Sequence, residues 1–354
     1  MLNQISKGLG RAVRAAAVAG ILVGGIASAY AQEVIGAGAT FPAPIYTKWG
    51  EQFKAAGGPA LNYQGVGSGA GVTQIINRTV DFGASDTPVA SERLASNNLL
   101  QFPAVIGAVV VVVNIPGVDG NSLKLTGPII ADIYQGRIRM WNANEIKALN
   151  PGITLPAVAV APAYRADSSG TTNIFTSYLA AVSLPFQTNV GAANSVPWKT
   201  GVGAPGNAGV AAAVQNTKGG IGYVEYAYAT ENKMQTPQLE NRAKKFVKPT
   251  IAGFNSAAAQ ANWAGAANFA ASMINMGGDT TWPIVSSTYV LVPKNPSDPE
   301  RAANVLKFFD WAFKSGGPAA DQLHYIALPK AVQDQVRKKW SAVTANGKAV
   351  WPAS

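Results

Sequence analysis

One arrangement recurs along this chain: a strand-like run, then glycine with serine or threonine, then apolar residues at helical spacing. It is most complete at Tyr164-Arg165-Ala166-Asp167-Ser168-Ser169-Gly170-Thr171-Thr172. Ile174, Phe175, Tyr178, Leu179 and Val182 follow at helical period, which predicts a helix beginning near Ser169. A helix start leaves backbone N–H groups without partners and carries the positive end of the dipole, which suits an anion. Hydroxyls add donors, glycine lets the backbone come close, and Arg165 brings a planar charged fork matched to the oxygens of phosphate or sulfate. The plainer reading is that Ser169 only caps the helix and Arg165 pairs with Asp167 on the surface.

The arrangement also occurs earlier. Glu33 to Phe41 reads as a short strand and a glycine loop, with Thr40 at the junction to a helix carrying Pro44, Ile45, Trp49 and Phe53. Leu61 to Gly67 repeats it, with Ser68 before a helix carrying Val72, Ile75 and Ile76. Val80 to Pro88 reads as a strand ending at a turn with Asp86, which either caps the next helix or faces the same place as the donors. In open α/β sheets ligands bind outside the carboxyl ends of strands, where helix N-termini gather. Several such junctions together point to an anion cradle.

Two β-branched runs, Ala104–Asn114 and Ser287–Pro293, predict buried strands too short to span a bilayer. Between them lies about one domain's length of chain, including a helix at Ile129–Tyr134 and a strand at Gly220–Tyr226. An alanine-rich helix is expected from about Asn255 to Met273, and the helices Asn304–Ser315 and Val332–Trp340 follow in the tail. With 354 residues, 48% of them hydrophobic, the chain has material for two cores. The expectation is two α/β lobes joined by two crossover strands: lobe I from 32–108 and 288–354, and lobe II, inserted, from 109–287.

Residues 1–31 differ in kind. Lys7, Arg11 and Arg14 precede an apolar run from Ala15 to Ile26 and the small-residue site Ser28-Ala29-Tyr30-Ala31, the pattern of a signal peptide cleaved after Ala31. Its removal takes the formal net charge from +10 to +7. The basic cluster Arg337-Lys338-Lys339 reads as a solvated helix face, since no aromatics interleave it as a nucleic-acid stripe requires. Cysteine is absent and His324 is the lone histidine, which argues against zinc or Cys/His catalysis. Gly201-Val202-Gly203-Ala204-Pro205-Gly206 matches a dinucleotide fingerprint but has a poor lead-in strand, so it is expected to be a loop before a helix.

The chain resembles the periplasmic phosphate-binding proteins of bacterial ABC-type phosphate importers, from about Val34 to Trp340. The resemblance is carried by Gly36-Ala37-Gly38-Ala39-Thr40-Phe41-Pro42-Ala43-Pro44, Tyr63-Gln64-Gly65-Val66-Gly67-Ser68, Val80-Asp81-Phe82-Gly83-Ala84-Ser85-Asp86, Arg165 to Thr171 and Gly222-Tyr223-Val224-Glu225-Tyr226-Ala227-Tyr228. It implies the two-lobed type II binding-protein fold that closes about its hinge strands. It also implies a periplasmic, non-catalytic receptor without cofactor, whose partners are phosphate and a membrane permease; a monomer is the default for a diffusing receptor. The family's phosphate contacts fall on Thr40 and Phe41 (main chain), Ser68, Asp86, Arg165, Ser169, Gly170 and Thr171. Relatives often carry a second Ser or Gly-Gly where this chain has Gly69-Ala70-Gly71, and Gly where it has Ser168; neither change removes a matched contact.

Donors alone would take phosphate or sulfate. Asp86 as a buried acceptor bonds a P–OH and meets a sulfate oxygen with repulsion, a penalty of roughly 3–5 kcal/mol. Asp167 either holds the Arg165 guanidinium or caps the helix. A receptor for another tetrahedral oxyanion, a secreted phosphatase and a surface adhesin are the other readings of the residues. Asp86 speaks against the first, the absence of a metal site and an activated nucleophile against the second, and the oxyanion constellation against the third.

Overall fold

The computed structural model describes residues 33–351. The expected leader, residues 1–31, lies outside the described residues. The first β-branched run belongs to a strand longer than expected, Leu99–Asn114, buried at every position from Leu99 to Val113. Such a run is what a strand covered on both faces requires.

In chain order the main strands are β1 (Val34–Gly38), β2 (Leu61–Gly65), β3 (Phe82–Ser85), β4 (Leu99–Asn114), β5 (Ala161–Arg165), β6 (Val202–Ala204), β7 (Gly220–Glu225) and β8 (Ile284–Pro293). With the short strand Met273–Ile274 paired to β8, the described residues form a nine-stranded sheet in the order β2-β1-β3-β8-β4-β7-β5-β6. β1 lies parallel between β2 and β3, and β5 lies parallel between β7 and β6. β4 is antiparallel to both its neighbours and divides its length between them. It pairs with β8 from Leu99 to Ala108 and with β7 from Val109 to Asn114. Pro103 has no N–H for the ladder, and the β4–β8 register shifts opposite it, between Thr288 and Tyr289.

The parallel strands feed helices: β1 runs to α1 (Ala43–Ala55), β2 to α2 (Ser68–Ile76), β5 to α3 (Gly170–Val182), β6 to α4 (Gly206–Gln215) and β7 to α5 (Tyr226–Glu231). The stripe predicted on α1 is buried: Ile45, Trp49 and Phe53, joined by Tyr46. Tyr46 meets Phe82 and Phe309 edge-on, and Phe53 meets Phe308. Beyond β4 the core is a second aromatic set, in which Phe175 of α3 stacks on Tyr223 of β7 at 4.2 Å between ring centroids. Each such ring contributes roughly 1.5–3 kcal/mol of burial.

Several expectations change. The stretch expected as a helix from Asn255 to Met273 is α-helical only in its first part, as the end of the helix Ile251–Ala258, with a short 3-10 turn at Ala267–Phe269 further on. Beyond it Trp263, Phe269, Ala271 and Met273 are buried without helical spacing, and Asn268 and Phe269 take positive φ. Burial of those side chains overrides the helix propensity of alanine. The Gly201–Gly206 segment does lead into a helix, but Val202–Ala204 is an edge strand on β5 rather than a loop. Tyr226 opens α5 instead of ending the β7 strand. Arg337 is turned inward onto Asp310 at 2.7 Å and over the Phe313 ring, while Lys338 and Lys339 face solvent.

Candidate functional site

Each parallel strand of the sheet runs at its carboxyl end into one cluster. β1 leads to Thr40 and Phe41, β2 to Ser68, β3 to Asp86, β5 to Arg165, β6 to Asn207 and β7 to Glu225. This is where α/β sheets collect the N-termini of their helices.

Arg165 is the last residue of β5, and its side chain is only 1% exposed. Its Nε donates to Asp167 Oδ1 at 2.8 Å, its Nη2 to Asp167 Oδ2, and its Nη1 to the Thr171 hydroxyl at 3.2 Å. The pair with Asp167 is therefore inside the cluster and not on the surface. Gly206 N–H donates to Asp167 Oδ1 at 3.0 Å. Burial alone would raise the Asp167 carboxyl, but the hydrogen bonds and charge of Arg165, with the Gly206 N–H, hold it below the usual range. Asp167 is not the helix cap; Ser169 is, accepting from the Thr172 N–H at 3.1 Å. Capping occupies a lone pair of Ser169 and leaves its hydroxyl proton to donate.

Gly170 opens α3 and Ser68 opens α2, and the two helix starts meet. The Gly170 N–H donates to Ser68 Oγ at 3.1 Å, and the Asp86 N–H donates to the same oxygen at 3.2 Å. A Cβ on Gly170 would stand 2.5 Å from Ser68 Oγ and 2.7 Å from Asp86 Oδ2, so the approach requires glycine. Asp86 is 2% exposed. It does not cap the following helix, whose N-cap is Ala90. Its Oδ1 accepts from the Thr288 hydroxyl at 2.8 Å, beside the register shift in β8. Burial pushes the Asp86 carboxyl up to about 7, against the pull of the Thr288 hydrogen bond, the Arg165 charge and Ser68.

Thr40 Oγ1 accepts from Asn207 Nδ2 at 2.8 Å and from Asn207 N–H at 3.2 Å. Asn207 Nδ2 also reaches Thr171 Oγ1, at 3.3 Å. The Thr40 carbonyl accepts from the Tyr228 hydroxyl at 2.7 Å, and the Phe41 carbonyl lies 2.6 Å from the Tyr325 hydroxyl. Thr40, Phe41, Ser68, Asp86, Arg165, Ser169, Gly170 and Thr171 thus stand in one buried network. Sequence reasoning missed Thr288, Asn207, Glu225, Tyr228 and Tyr325 as members. Asn207 was within reach, since Gly206 begins a helix after a short strand like the other junctions. Thr288 and Tyr325 carry no local signal.

Two cavities reach the network. One of about 400 Å³ is lined by Asp86, Asn173, Ser286 and Tyr289, and one of about 370 Å³ by Thr40, Asp167, Gly206 and Tyr228. A larger one, about 550 Å³, lies elsewhere, among Trp263, Phe269, Lys294 and Lys338. Chemically the network offers a guanidinium, hydroxyls and backbone N–H groups, with one buried carboxyl among them. That set suits a small anion which keeps a proton. Among the described residues no three His, Cys, Asp or Glu side chains group as metal ligands.

The PBP superfamily domain matches residues 25–315. The Phosphate-binding protein PstS of Pasteurella multocida is 44% identical over 323 residues, covering 91% of this chain and 94% of that protein. The Phosphate-binding protein PstS of Haemophilus influenzae is 44% identical over 320 residues, covering 90% and 96%. The crystal structure of the phosphate binding protein of Stenotrophomonas maltophilia superposes with a TM-score of 0.67 at 22% identity, over 90% of this chain and 96% of that one. That last likeness concerns the fold, which is two-lobed α/β with β4 and β8 as the crossover strands. With a full-length match at this identity, the chain belongs to the PstS family of the PBP superfamily.

Proposed function

We propose that this chain is a periplasmic receptor for inorganic phosphate that hands its ligand to an ABC-type permease. The observation that carries this reading is Asp86, a buried acid set among anion donors. Phosphate near neutral pH keeps at least one proton to give Asp86, and sulfate keeps none, so the site binds one and repels the other. Thr40 and Phe41 supply main-chain contacts, while Ser68, Ser169, Gly170 and Thr171 supply hydroxyls and N–H groups. Arg165, held by Asp167, supplies the neutralising charge.

Lobe I is 32–108 with 288–354, and lobe II is 109–287, a division supported by the change of β4 partner between Ala108 and Val109. The ligand then bridges the lobes, and the closed form is the one that docks on the permease. Export rests on the leader pattern at residues 1–31. Binding rather than hydrolysis is favoured because Ser68 Oγ accepts two N–H bonds and has no lone pair left for attack. The test is calorimetry on the mature, ligand-stripped monomer, titrated with phosphate and then sulfate. One-to-one phosphate binding without sulfate heat is expected. Binding of both ions would remove Asp86 from the selectivity, and binding of neither would overturn the reading.

A further inference from the structure

Glu225 ends β7 fully buried, and nothing in the phosphate reading uses it. Its Oε2 accepts from the Ala227 N–H at 2.9 Å and lies 2.8 Å from the Tyr325 hydroxyl, while its Oε1 has no hydrogen-bond partner. The same Tyr325 hydroxyl lies 2.6 Å from the Phe41 carbonyl oxygen. One phenolic proton cannot make both bonds. The Phe41 carbonyl has no proton to offer, so the Tyr325 proton goes there. The contact between Tyr325 Oη and Glu225 Oε2 then needs a second proton, and Glu225 is the partner able to supply it. An ionised Glu225 would instead face a phenol oxygen without a proton and leave a charged Oε1 buried and unpaired. As a neutral acid, Oε1 is an ordinary carbonyl oxygen, far cheaper to leave unpaired.

We propose that Glu225 is a neutral carboxylic acid that positions Phe41 for the anion, donating to Tyr325, which donates to the Phe41 carbonyl. The positioning half rests on the phosphate reading above; the protonation half does not. The chain of bonds fixes the backbone on one side of Phe41, and the Tyr228 hydroxyl fixes the Thr40 carbonyl on the other. The Thr40 carbonyl belongs to the peptide group that carries the Phe41 N–H, so the Tyr228 bond polarises that N–H and strengthens it as a donor. Tyr325 is itself held firmly. Its neighbour Ile326 exchanges backbone bonds of 2.8 and 3.0 Å with Ile106 of β4. A Cβ on Gly107 would stand 2.7 Å from the Phe41 ring and 3.2 Å from the Tyr325 ring, so the two rings pack onto bare backbone. Glu225 pairs in register with Val109, where β4 leaves β8 for β7. The Glu225–Tyr325–Phe41 chain thus joins the two sides of the sheet independently of any ligand.

The groups around Glu225 keep it neutral. Tyr325, Tyr226 and Tyr228 face it, Glu231 adds like charge, and His324 lies against Tyr226 at 5.4 Å between ring centroids. Arg165, the nearby cation, acts on Tyr228 and is already paired with Asp167. Burial pushes the Glu225 carboxyl far up, and the Ala227 N–H bond offsets only part of that.

The test pairs a spectroscopic readout with affinity. Infrared spectra at about pH 9, where Asp86 is ionised, should show a protonated-carboxyl C=O band in the wild type that disappears in Glu225→Gln. Glu225→Ala and Tyr325→Phe should each weaken phosphate binding about tenfold, and Glu225→Gln, whose amide can donate to Tyr325, should recover most of that loss. Circular dichroism checks that each variant is folded, and Tyr325→Phe keeps the ring should Glu225→Ala fail to fold. Absence of the acid band would overturn the neutral state. Equal loss in the Gln and Ala variants, or no loss in Tyr325→Phe, would overturn the positioning role. Wild-type protein that shows the band but binds no phosphate would sink that role together with the receptor reading, and leave the neutral acid standing.

Discussion

Ser68 and Gly170 stand 102 residues apart in the chain, and the Gly170 N–H donates to the Ser68 hydroxyl at 3.1 Å. Each residue opens a helix, so two helix N-termini, both positive dipole ends, point at one another. An anion between them satisfies both at once. Asp86, the acid beside them, is the chain's own partial answer to that field.

The approach is tight enough to be tested by one methyl group. Gly170→Ala would press a Cβ to 2.5 Å from Ser68 Oγ and 2.6 Å from Asp86 Cβ, so α3 must draw away from α2 and from the Asp86 turn. We expect phosphate affinity to fall by at least about a hundredfold, the equivalent of about 2.7 kcal/mol, with little change in secondary structure. Titration calorimetry with circular dichroism as the control measures both.

Selectivity is expected to reside in Asp86. Asp86→Asn exchanges an acceptor for an amide that also donates, so sulfate should begin to bind and discrimination should drop by a factor on the order of hundreds. Competition of sulfate against labelled phosphate reads this directly, and unchanged discrimination would refute the role.

Asp86 also carries a pH signature. Burial raises its carboxyl from 3.8 to about 7. Because the folded value lies above the unfolded one, the folded chain binds this proton more tightly, and the group's contribution to stability falls as pH rises from 3.8 to about 7. Above that window ligand-free protein carries the full cost, about 4 kcal/mol. The melting temperature of Asp86→Asn relative to wild type should therefore climb between those values and level off above them. A constant difference across the range would mean that Asp86 titrates normally.

Asp167 is expected to act through Arg165. Asp167→Ala removes the partner of both Nε and Nη2 and frees the Gly206 N–H, leaving a buried guanidinium held by Thr171 alone. Phosphate affinity should fall about tenfold, because an Arg165 fork that is no longer fixed loses its preorganisation. If calorimetry shows intact affinity, the orienting role is wrong.

The parts of the cluster legible in the sequence are those made by neighbours in the chain. Ser169, Gly170 and Thr171 announce themselves because a helix start is written in a few adjacent residues, and the α1 and α2 junctions follow the same grammar. Asp86 is readable as a turn acid, though not its partner Thr288, which is 202 residues away and turned inward beside the irregularity opposite Pro103. Tyr325 meets Glu225 across 100 residues and Phe41 across 284, with no local pattern on either side. The alanine-rich stretch misleads for the opposite reason. Its composition favours a helix, while scattered Trp263, Phe269 and Met273 find their burial only if the chain bends.

The shared strand β4 has a consequence for how tightly such a receptor can bind. β8 stops pairing at Ala108 and β7 begins at Val109, so a single peptide unit joins the two ladders along this strand. Measured affinity is the intrinsic affinity of the shut molecule multiplied by the share of molecules that are shut. A substitution at that junction can change the second factor without altering any atom that meets the ion. Affinity in this fold is therefore adjustable from the spine, and two receptors with identical ligand contacts need not hold their cargo equally well.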